Sequence, residues 1–385
     1  MSAELALTLR FVPPGVRRAW RFALLAVIPS IIALGLAGYF MARGTSGADF
    51  KGGVIAGSTR IVDGKYPYDT AYVAQIVRES ENGRDAPGIE TPGYPPHVLL
   101  VGVPLVPLGR ELSGILAMFL AAASIVFALR IIGVSDWRCY GCLALTPVVL
   151  QGALLANPTM FLIPAVALAW RWRRTTLRVA LVLGLALSVK PLLLPLLAWL
   201  LAVGRIRPAI GSLAVAAAVL AAGFVATGVQ PLDYWQVSSD LVAAQRHTAL
   251  SLVAAGTRLG LTLYAATLLS LVVAGLALGA SLVRWRRRRC EEELFSAAIA
   301  ISLLASPLVH MHYLALLFVP LGLIRPRFGF AWLLLFPFWL MVDGGGPSPL
   351  PAFVVYAAMM LAAVVPAPGQ RGVGSDPTHA VPTHG

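Results

Sequence analysis

Apolar runs alternate with short polar segments along almost the whole sequence. The first clear run extends from residue 20 to residue 41, and about 20 apolar residues are enough for a membrane-spanning helix. Further apolar runs lie at 97–109, 111–132, 139–155, 158–170, 176–189, 191–203, 209–227, 261–283, 294–309, 311–324, 329–342 and 351–366. The pattern predicts an all-α, polytopic transmembrane helical bundle of about 11–13 membrane segments, several of them short and interrupted by proline.

The composition supports a membrane protein. Hydrophobic residues make up 58% of the 385-residue chain, and charged residues only 12%. A soluble domain carries about 25% charged residues, so this chain lacks the polar side chains to cover the surface of two or three soluble domains. Water-soluble enzymes and binding modules are therefore excluded.

The net charge of +13 comes mainly from arginines that lie in clusters between apolar runs. The clusters are Arg10, Arg17, Arg18 and Arg21; Arg171, Arg173, Arg174 and Arg178; Arg205 and Arg207; the run 284–289; and Arg325 and Arg327. Because Lys and Arg concentrate on cytoplasmic loops, the clusters predict a cytoplasmic N-terminus. They place 44–96 and 229–258 on the outer face of an inner (plasma) membrane. Nucleic-acid binding explains the charge less well, since no aromatic-basic RNA motif accompanies it.

A single membrane domain is predicted over 1–366, followed by a Gly-, Pro-, Ser- and Thr-rich tail over 367–385 that we expect to be disordered in the cytoplasm. The alternation of sides is consistent from 171 onward, but four crossings between 94 and 171 would place the next arginine cluster outside. We therefore expect 139–170 to be one broken crossing, kinked at Asn157–Pro158. No internal repeat is visible, which weakens a secondary-transporter interpretation.

Cys139 and Cys142 form a CxxC pair within an apolar run. A zinc site of this type needs a second pair of ligands, and three cysteines cannot build a disulfide framework. The pattern favours a packing role for both thiols.

Asp49 is the most informative carboxylate, because it lies just past the first apolar run at the predicted outer boundary. Partial desolvation there raises the pKa of a carboxyl group and a neighbouring cation lowers it, which suits a general base. The alternatives are an interfacial charge or an N-cap for a following helix.

Aromatic residues and a histidine follow in the first outer loop. Tyr66 and Tyr68 flank a proline near a predicted turn, and Tyr94 and His97 flank the proline pair that begins the second apolar segment. Aromatic rings near a turn can stack on a sugar, but they are equally suited to the interfacial aromatic belt.

Three basic side chains lie in apolar surroundings. Lys190 either extends to the interface or contacts a lipid phosphate, because an unpaired cation in the membrane is costly. His310 and His312 form an HxH pair that suits anion contact or proton transfer better than metal binding, since no third ligand lies nearby in sequence. A structural role remains open for either histidine alone.

Together these residues resemble glycosyltransferase family 87, the polyprenyl-phosphate-sugar-dependent transferases of the GT-C superfamily. The resemblance covers residues 45–325, and it rests on the order and spacing of short motifs rather than on any one of them. The motifs are Asp49-Phe50, Asp-Gly-Lys-Tyr-Pro-Tyr-Asp at 63–69, Tyr94-Pro95-Pro96, Pro-Leu-Val-Pro-Leu at 104–108, Thr146-Pro147, Gln151, Asn157-Pro158, Lys190-Pro191, and Ser306-Pro307 with His310, His312 and Tyr313.

The resemblance implies a GT-C-type bundle with a long first extracytoplasmic loop. It implies an inverting transferase that moves a sugar, expected to be mannose, from a polyprenyl-phosphate donor to a glycolipid or cell-envelope glycan hydroxyl at the outer face. The family's acidic residue in the first outer loop maps onto Asp49, which would accept the acceptor's proton. No metal or other cofactor is implied.

The remaining site residues are expected to divide between donor and acceptor. Lys190, His310 and His312 are the candidates for holding the donor phosphate, with His312 preferred. Tyr66, Tyr68, Tyr94 and His97 are the candidates for shaping the sugar and acceptor pocket.

Two alternative functions stay open from the sequence. Within the same class, the donor sugar could be arabinofuranose on a decaprenyl-phosphate carrier, because no motif encodes sugar choice. In a different class, the chain could be a flippase or transporter of lipid-linked sugars. Such a protein would need ionisable residues at mid-membrane depth, and the sequence offers few, of which Lys190 is the main one. A membrane scaffold would not account for the ordered polar motifs.

Overall fold

The computed structural model of the chain describes residues 14–42, 46–68, 71, 73–75, 78, 93–245 and 249–341. These residues form helices and turns, and no strand occurs among them. The predicted segment 351–366 and the tail 367–385 lie outside the described residues, as does His247 in the second outer loop.

The α-helices are numbered here in chain order. They are α1 (Pro14–Phe22), α2 (Ile28–Ala42), α3 (Ala48–Phe50), α4 (Ala56–Val62), α5 (Pro96–Gly102), α6 (Gly109–Ile131), α7 (Trp137–Leu145), α8 (Pro147–Leu154), α9 (Thr159–Arg171), α10 (Thr176–Val189), α11 (Pro195–Ala202), α12 (Ile206–Thr227), α13 (Pro231–Gln245), α14 (Leu252–Arg258), α15 (Leu263–Arg288), α16 (Glu291–Ala305) and α17 (Phe318–Ile324). Short π-helices join α1 to α2 (Ala23–Val27) and α3 to α4 (Lys51–Ile55), and 3₁₀ turns lie at Val103–Leu108, Pro191–Leu193, Met311–Leu317, Phe330–Leu333 and Phe336–Met341.

Local sequence explains where several helices begin. The side chains of Asp136, Ser251 and Thr262 accept hydrogen bonds from backbone N–H groups in the first turns of α7, α14 and α15. Such caps satisfy N–H groups that have no partner within the helix. Pro96 begins α5 at a position where a proline sacrifices no helical hydrogen bond.

By length and composition, three helical stretches of the described residues could cross a membrane, namely Pro96–Ile131, Ile206–Thr227 and Leu263–Arg288. In the first of them, α6 alone supplies 23 residues. Shorter apolar helices occur at Thr176–Val189, Pro191–Ala202, Met311–Ile324 and Phe330–Trp339. The predicted all-α membrane bundle is thus confirmed. The number of about 11–13 segments stays a prediction, because most segments are too short or too bent to qualify by length alone.

One end of the bundle, here called the basic end, gathers arginines from three places along the chain. Arg205 forms an ion pair with Glu291, and Arg173 Nε lies 3.8 Å from the same carboxylate. Arg284 Nε donates to Glu293 Oε2 at 2.6 Å. The predicted arginine clusters after α9, between α11 and α12, and at the end of α15 therefore share one end of the protein.

The opposite end gathers the polar residues on which the function prediction depends. Asn157 Nδ2 donates to Asp49 Oδ2 at 2.6 Å. Lys190 Nζ donates to Thr159 Oγ1 and to the Tyr313 hydroxyl, each at 2.6 Å. Helices α9, α10, α11, α12, α15 and α16 run between the two ends, as the predicted alternation requires as far as residue 305. Which end faces the cytoplasm stays a prediction.

The apolar run at 97–109 does not pass from one end to the other. Ser113 Oγ donates to the Leu105 carbonyl oxygen at 2.8 Å, although eight residues span about 12 Å along a continuous α-helix. The chain therefore reverses between them, at Gly109, which has a φ of +76°. A salt bridge of 2.9 Å between Lys51 and Glu111 then holds the beginning of α6 beside the segment that carries Asp49.

The ends of the helices show the path of the chain between 109 and 171. Helix α6 has 23 residues, about 34 Å at 1.5 Å per residue, which carries the chain to the far end. Helices α7 and α8 return, and the Leu154 carbonyl oxygen at the end of α8 accepts from Gly47 N at 2.6 Å. Helix α9 then leaves at 115° to α8. The expected break at Asn157–Pro158 is confirmed, because α8 and α9 meet there at a sharp angle. That 139–170 forms a single crossing stays a prediction.

The cysteines occupy the places that the sequence suggests, and the first helix contacts α7. The Phe22 ring, at the end of α1, packs edge-on against Trp137 at the start of α7, with centroids 5.6 Å apart; the side of the membrane on which the N-terminus lies stays a prediction. Cys139 and Cys142 are buried free thiols in the main core, and Cys142 Sγ donates to the Trp332 carbonyl oxygen at 3.2 Å. Their packing role is confirmed.

We expect Gly47→Ala to destabilise the protein strongly. Gly47 has a φ of +65°, and an added Cβ would lie 2.6 Å from backbone atoms of Gly114. The left-handed conformation and the clash together should lower the free energy of unfolding by about 2–4 kcal/mol. Thermal unfolding in detergent measures this effect. Gly38→Ala is the matched control, because no atom lies within 4 Å of its added Cβ; equal melting temperatures for the two variants would contradict the assignment.

Candidate active site

The helix that carries Asp49 begins against the end of α8. Gly47 N donates to the Leu154 carbonyl oxygen at 2.6 Å, and Asp49 N and Phe50 N donate to the Leu155 carbonyl oxygen at 3.0 and 3.4 Å. The first N–H groups of a helix and the last carbonyl groups of another both lack partners within their own helices. Here each set satisfies the other, and this contact fixes Asp49 beside the α8–α9 turn.

A π-helix and two glycines follow Asp49 directly. The sequence Lys-Gly-Gly-Val-Ile at Lys51–Ile55 forms the π-helix, a feature that is frequent at functional sites. A Cβ on Gly53 would lie 2.8 Å from Cε2 of Tyr94. The Tyr94 ring therefore lies directly on this backbone, one turn from Asp49, and only glycine permits that approach.

The α8–α9 turn presents Asn157 to Asp49. Ala156, in this turn, has a φ of +50°, a conformation that costs a non-glycine residue about 1–2 kcal/mol and clusters at functional sites. Asn157 Oδ1 then accepts from Thr159 N at 2.9 Å in the first turn of α9, while Asn157 Nδ2 donates to Asp49 Oδ2. Asn157 is 5% exposed, so this hydrogen bond is shielded from water.

Lys190 lies at the break between α10 and the turn that Pro191 begins. Its Nζ donates to Thr159 Oγ1 and the Tyr313 hydroxyl, and it lies 5.5 Å from the centre of the Tyr94 ring. The ammonium group thus points into a polar cluster of the protein and does not extend along the surface. Its contact with a lipid phosphate stays a prediction. An ammonium group has three N–H donors, and the described contacts use two of them.

Asp49 and Lys190 influence each other's charge. Burial raises the pKa of Asp49 above its ordinary value, and this effect exceeds the opposing effects of the Asn157 hydrogen bond and the Lys190 charge. A carboxylate with a raised pKa is a stronger base than one in water. The site therefore places a strengthened base close to a cation.

His310 and His312 line the same end of the bundle. Their rings are stacked, with centroids 5.6 Å apart and an interplanar angle of 17°. His312 Nδ1 donates to Gln151 Oε1 at 3.4 Å, and His310 Nε2 donates to Gln245 Oε1 at 3.1 Å. His312 Nε2 is buried and has no partner among the described residues, which is unusual for a buried polar atom. Within the described part of the chain, no three His, Cys, Asp or Glu side chains form a group that could hold a metal ion.

His97 connects α5 to α10 and α12. Ser188 Oγ donates to the Leu185 carbonyl oxygen at 2.8 Å, so its oxygen accepts from His97 Nε2 at 3.1 Å. A Cβ on Gly223 would lie 2.7 Å from His97 N, which shows how closely α12 approaches. His97 Nδ1 is buried and has no partner among the described residues.

Tyr66 and Tyr68 lie in different environments. Tyr68 is 2% exposed, and its hydroxyl donates to the Tyr94 carbonyl oxygen at 2.8 Å, so it supports Tyr94 from the core. Tyr66 is 38% exposed, and its hydroxyl donates to Asp233 Oδ2 at 2.6 Å, which ties the first outer loop to α13. A direct contact with sugar or acceptor stays a prediction for both, and Tyr66 has the more accessible ring.

The sequence profile of glycosyltransferase family 87 matches residues 93–309, more than half of the chain. The chain belongs to glycosyltransferase family 87. No curated protein and no solved structure matches it. The matched range contains Tyr94, His97, Asn157 and Lys190, whereas Asp49 lies before it; the fold brings Asp49 to the matched residues.

Two polar residues of this family 87 site had no role assigned from the sequence. Asn157 was recognised only as part of an Asn-Pro motif, and Thr159 was not singled out, yet they link Asp49 to Lys190. The available signal was the presence of two hydrogen-bonding side chains within an apolar run. Sequence alone does not indicate that Asn157 forms a hydrogen bond with a residue 108 positions away, or that Thr159 does so with a residue 31 positions away.

Proposed function

We propose that the protein is an inverting glycosyltransferase that uses a polyprenyl-phosphate sugar, with mannose the expected sugar, and transfers it to a glycolipid or cell-envelope glycan hydroxyl. Family membership supplies the transferase class. The observation that carries the finer proposal is the placement of one partly buried carboxylate close to a lysine and a histidine pair within a membrane bundle. This arrangement matches a reaction in which one oxygen loses a proton and another gains negative charge.

Asp49 acts as the general base in this proposal. Asn157 is the only described side chain that donates to its carboxylate, and it contacts Oδ2, so Oδ1 is available to an acceptor hydroxyl. The raised pKa of Asp49 favours proton uptake when the hydroxyl attacks. Its ordinary alternative, a cap for α3, is less well supported, because Gly47 occupies the N-cap position and Asp49 lies inside this helix.

Lys190 and His312 bind the donor phosphate. The third N–H of Lys190 can reach an anion, because the other two point to Thr159 and Tyr313. His312 Nδ1 already donates to Gln151, so Nε2 can donate to a phosphate oxygen once the ring is protonated. A phosphate that gains negative charge as it leaves favours that protonated form, and charge stabilisation of this kind is a large term in catalysis.

The reaction balances without another reagent. The acceptor oxygen forms a bond to the anomeric carbon while its proton moves to Asp49, and the bond from the anomeric carbon to the phosphate oxygen breaks. The lipid phosphate leaves with the bonding electron pair and is stabilised by Lys190 and His312. Attack on the face opposite the leaving group inverts the anomeric configuration.

The proposed outer-face location follows from the two ends of the bundle. Arginines concentrate on the cytoplasmic side of membrane proteins, and here they lie at the basic end, remote from Asp49. Asp49 would then face the outside, where envelope acceptors are assembled. Apolar side chains on α12 and α15, such as Val225 and Leu276, are exposed and suit contact with lipid tails.

We expect Asp49→Asn to lower kcat by about 10²–10⁴-fold, because the amide can keep the Asn157 contact but cannot accept a proton. In the wild type, kcat should fall as the pH falls through the raised pKa of Asp49, since only the ionised carboxylate is a base. The assay supplies purified protein with radiolabelled polyprenyl-phosphate mannose and a membrane lipid extract.

Asp63→Asn is the matched control for this test. It makes the same chemical change in the same loop, at an exposed residue that only pairs with Lys65 at 3.3 Å, so transfer should be unchanged. Transfer by Asp49→Asn at the wild-type rate would remove Asp49 from the mechanism. Transfer of arabinofuranose but not mannose would change the donor, and movement of lipid across the bilayer without transfer would favour a flippase.

We expect His312→Ala to raise the apparent KM for the donor by about 10–100-fold, the loss of one hydrogen bond to a charged group. The KM for the acceptor should change little, because Asp49 keeps its contacts. Kinetics with each substrate varied in turn measure both constants. An unchanged donor KM, with a normal melting temperature, would rule out the phosphate role of His312.

A further inference from the structure

Asn157 lies between the carboxylate of Asp49 and the first turn of α9, where it is almost fully buried. Its side chain makes two hydrogen bonds of opposite character. Oδ1 accepts from Thr159 N at 2.9 Å, and Nδ2 donates to Asp49 Oδ2 at 2.6 Å. Each end of the amide therefore has a separate partner.

The backbone contact fixes the orientation of the amide. A backbone N–H can only donate, so the end of Asn157 that faces Thr159 N must be the oxygen. The NH₂ group must then face Asp49, because a rotated amide would place two donors against each other and two oxygens together. The backbone of α9 thus ensures that the NH₂ group of Asn157, a hydrogen-bond donor, faces Asp49.

We propose that Asn157 is a positioning residue, which holds Asp49 Oδ2 through its amide so that the carboxylate stays ionised and Oδ1 faces the acceptor hydroxyl. This inference rests on the proposed function of Asp49 as the base. A hydrogen bond to a carboxylate favours the charged form, which counteracts the effect of burial. Without this donor, more of the Asp49 population would be protonated and unable to accept a proton.

A purely structural role makes a different prediction. If Asn157 only satisfied the first turn of α9, aspartate would serve equally well, because Asp and Asn are comparable caps. Asn157→Asp keeps an oxygen for Thr159 N but replaces the donor toward Asp49 by a second carboxylate oxygen. Two carboxylates in such a contact cannot both be ionised, so the pair retains a proton to higher pH.

The first test compares the pH dependence of kcat in the wild type and in Asn157→Asp. We expect the acidic limb of the Asn157→Asp profile to move upward by at least about one pH unit, with transfer near pH 7 reduced about tenfold and partly recovered at higher pH. A wild-type profile would overturn the proposal, because a capping role alone leaves the ionisation of Asp49 unchanged.

A second measurement does not depend on turnover. Dicyclohexylcarbodiimide modifies protonated carboxyl groups in apolar surroundings, and mass spectrometry of the peptide that contains Asp49 reports the extent. The pH of half-maximal modification should be at least about one unit higher in Asn157→Asp than in the wild type. Equal values would contradict the proposal even if the enzyme proved to use another donor.

The double variant Asp49→Asn with Asn157→Asp separates positioning from catalysis. It reverses the direction of the hydrogen bond and preserves the cap, so its melting temperature should equal that of the wild type. It should transfer no sugar, because the carboxylate now lies at 157. Full activity in this variant would show that the two positions are interchangeable, and it would overturn the assignment of Asn157. Full activity in Asp49→Asn alone would instead remove the proposed base.

Discussion

The site depends on the contact between the end of α8 and the beginning of the helix that carries Asp49. Backbone carbonyl groups of Leu154 and Leu155 accept from the N–H groups of Gly47, Asp49 and Phe50. In an apolar bundle neither set could find water, and an unpaired backbone group there would be costly. The contact therefore holds a polar, non-spanning segment against a turn within the bundle, and it determines which residues Asp49 can meet.

Charge balance makes the partly buried cluster tolerable and is also what the proposed reaction needs. Lys190 is surrounded by the hydroxyls of Thr159 and Tyr313, and Asp49 by the amide of Asn157, so each charge has hydrogen-bond partners as well as a nearby opposite charge. These contacts leave one carboxylate oxygen and one ammonium hydrogen unused. In the proposed reaction, the free carboxylate oxygen would accept the proton, and the free ammonium hydrogen would bind the phosphate that gains negative charge.

The residues of the candidate site could be chosen from the sequence because polar groups are conspicuous in an apolar chain. Asp49, Lys190 and His312 were selected in this way, and the structure brings them to one end of the bundle. The path of the chain was harder to predict: hydropathy does not distinguish an apolar segment that crosses from one that reverses, as happens at Gly109. The burial of Tyr68 could not be predicted from the sequence either, because the residues that cover it belong to segments far away along the chain.

The central claim is that the donor phosphate binds beside Asp49 and not at the arginine-rich end. A cryo-electron microscopy structure with a non-cleavable phosphonate analogue of polyprenyl-phosphate mannose tests this most directly. We expect the phosphonate oxygens to lie within hydrogen-bonding distance of Lys190 Nζ and His312 Nε2, with the anomeric carbon facing Asp49 Oδ1. A phosphonate bound among Arg173, Arg205 and Arg284, with the Asp49 end empty, would contradict it.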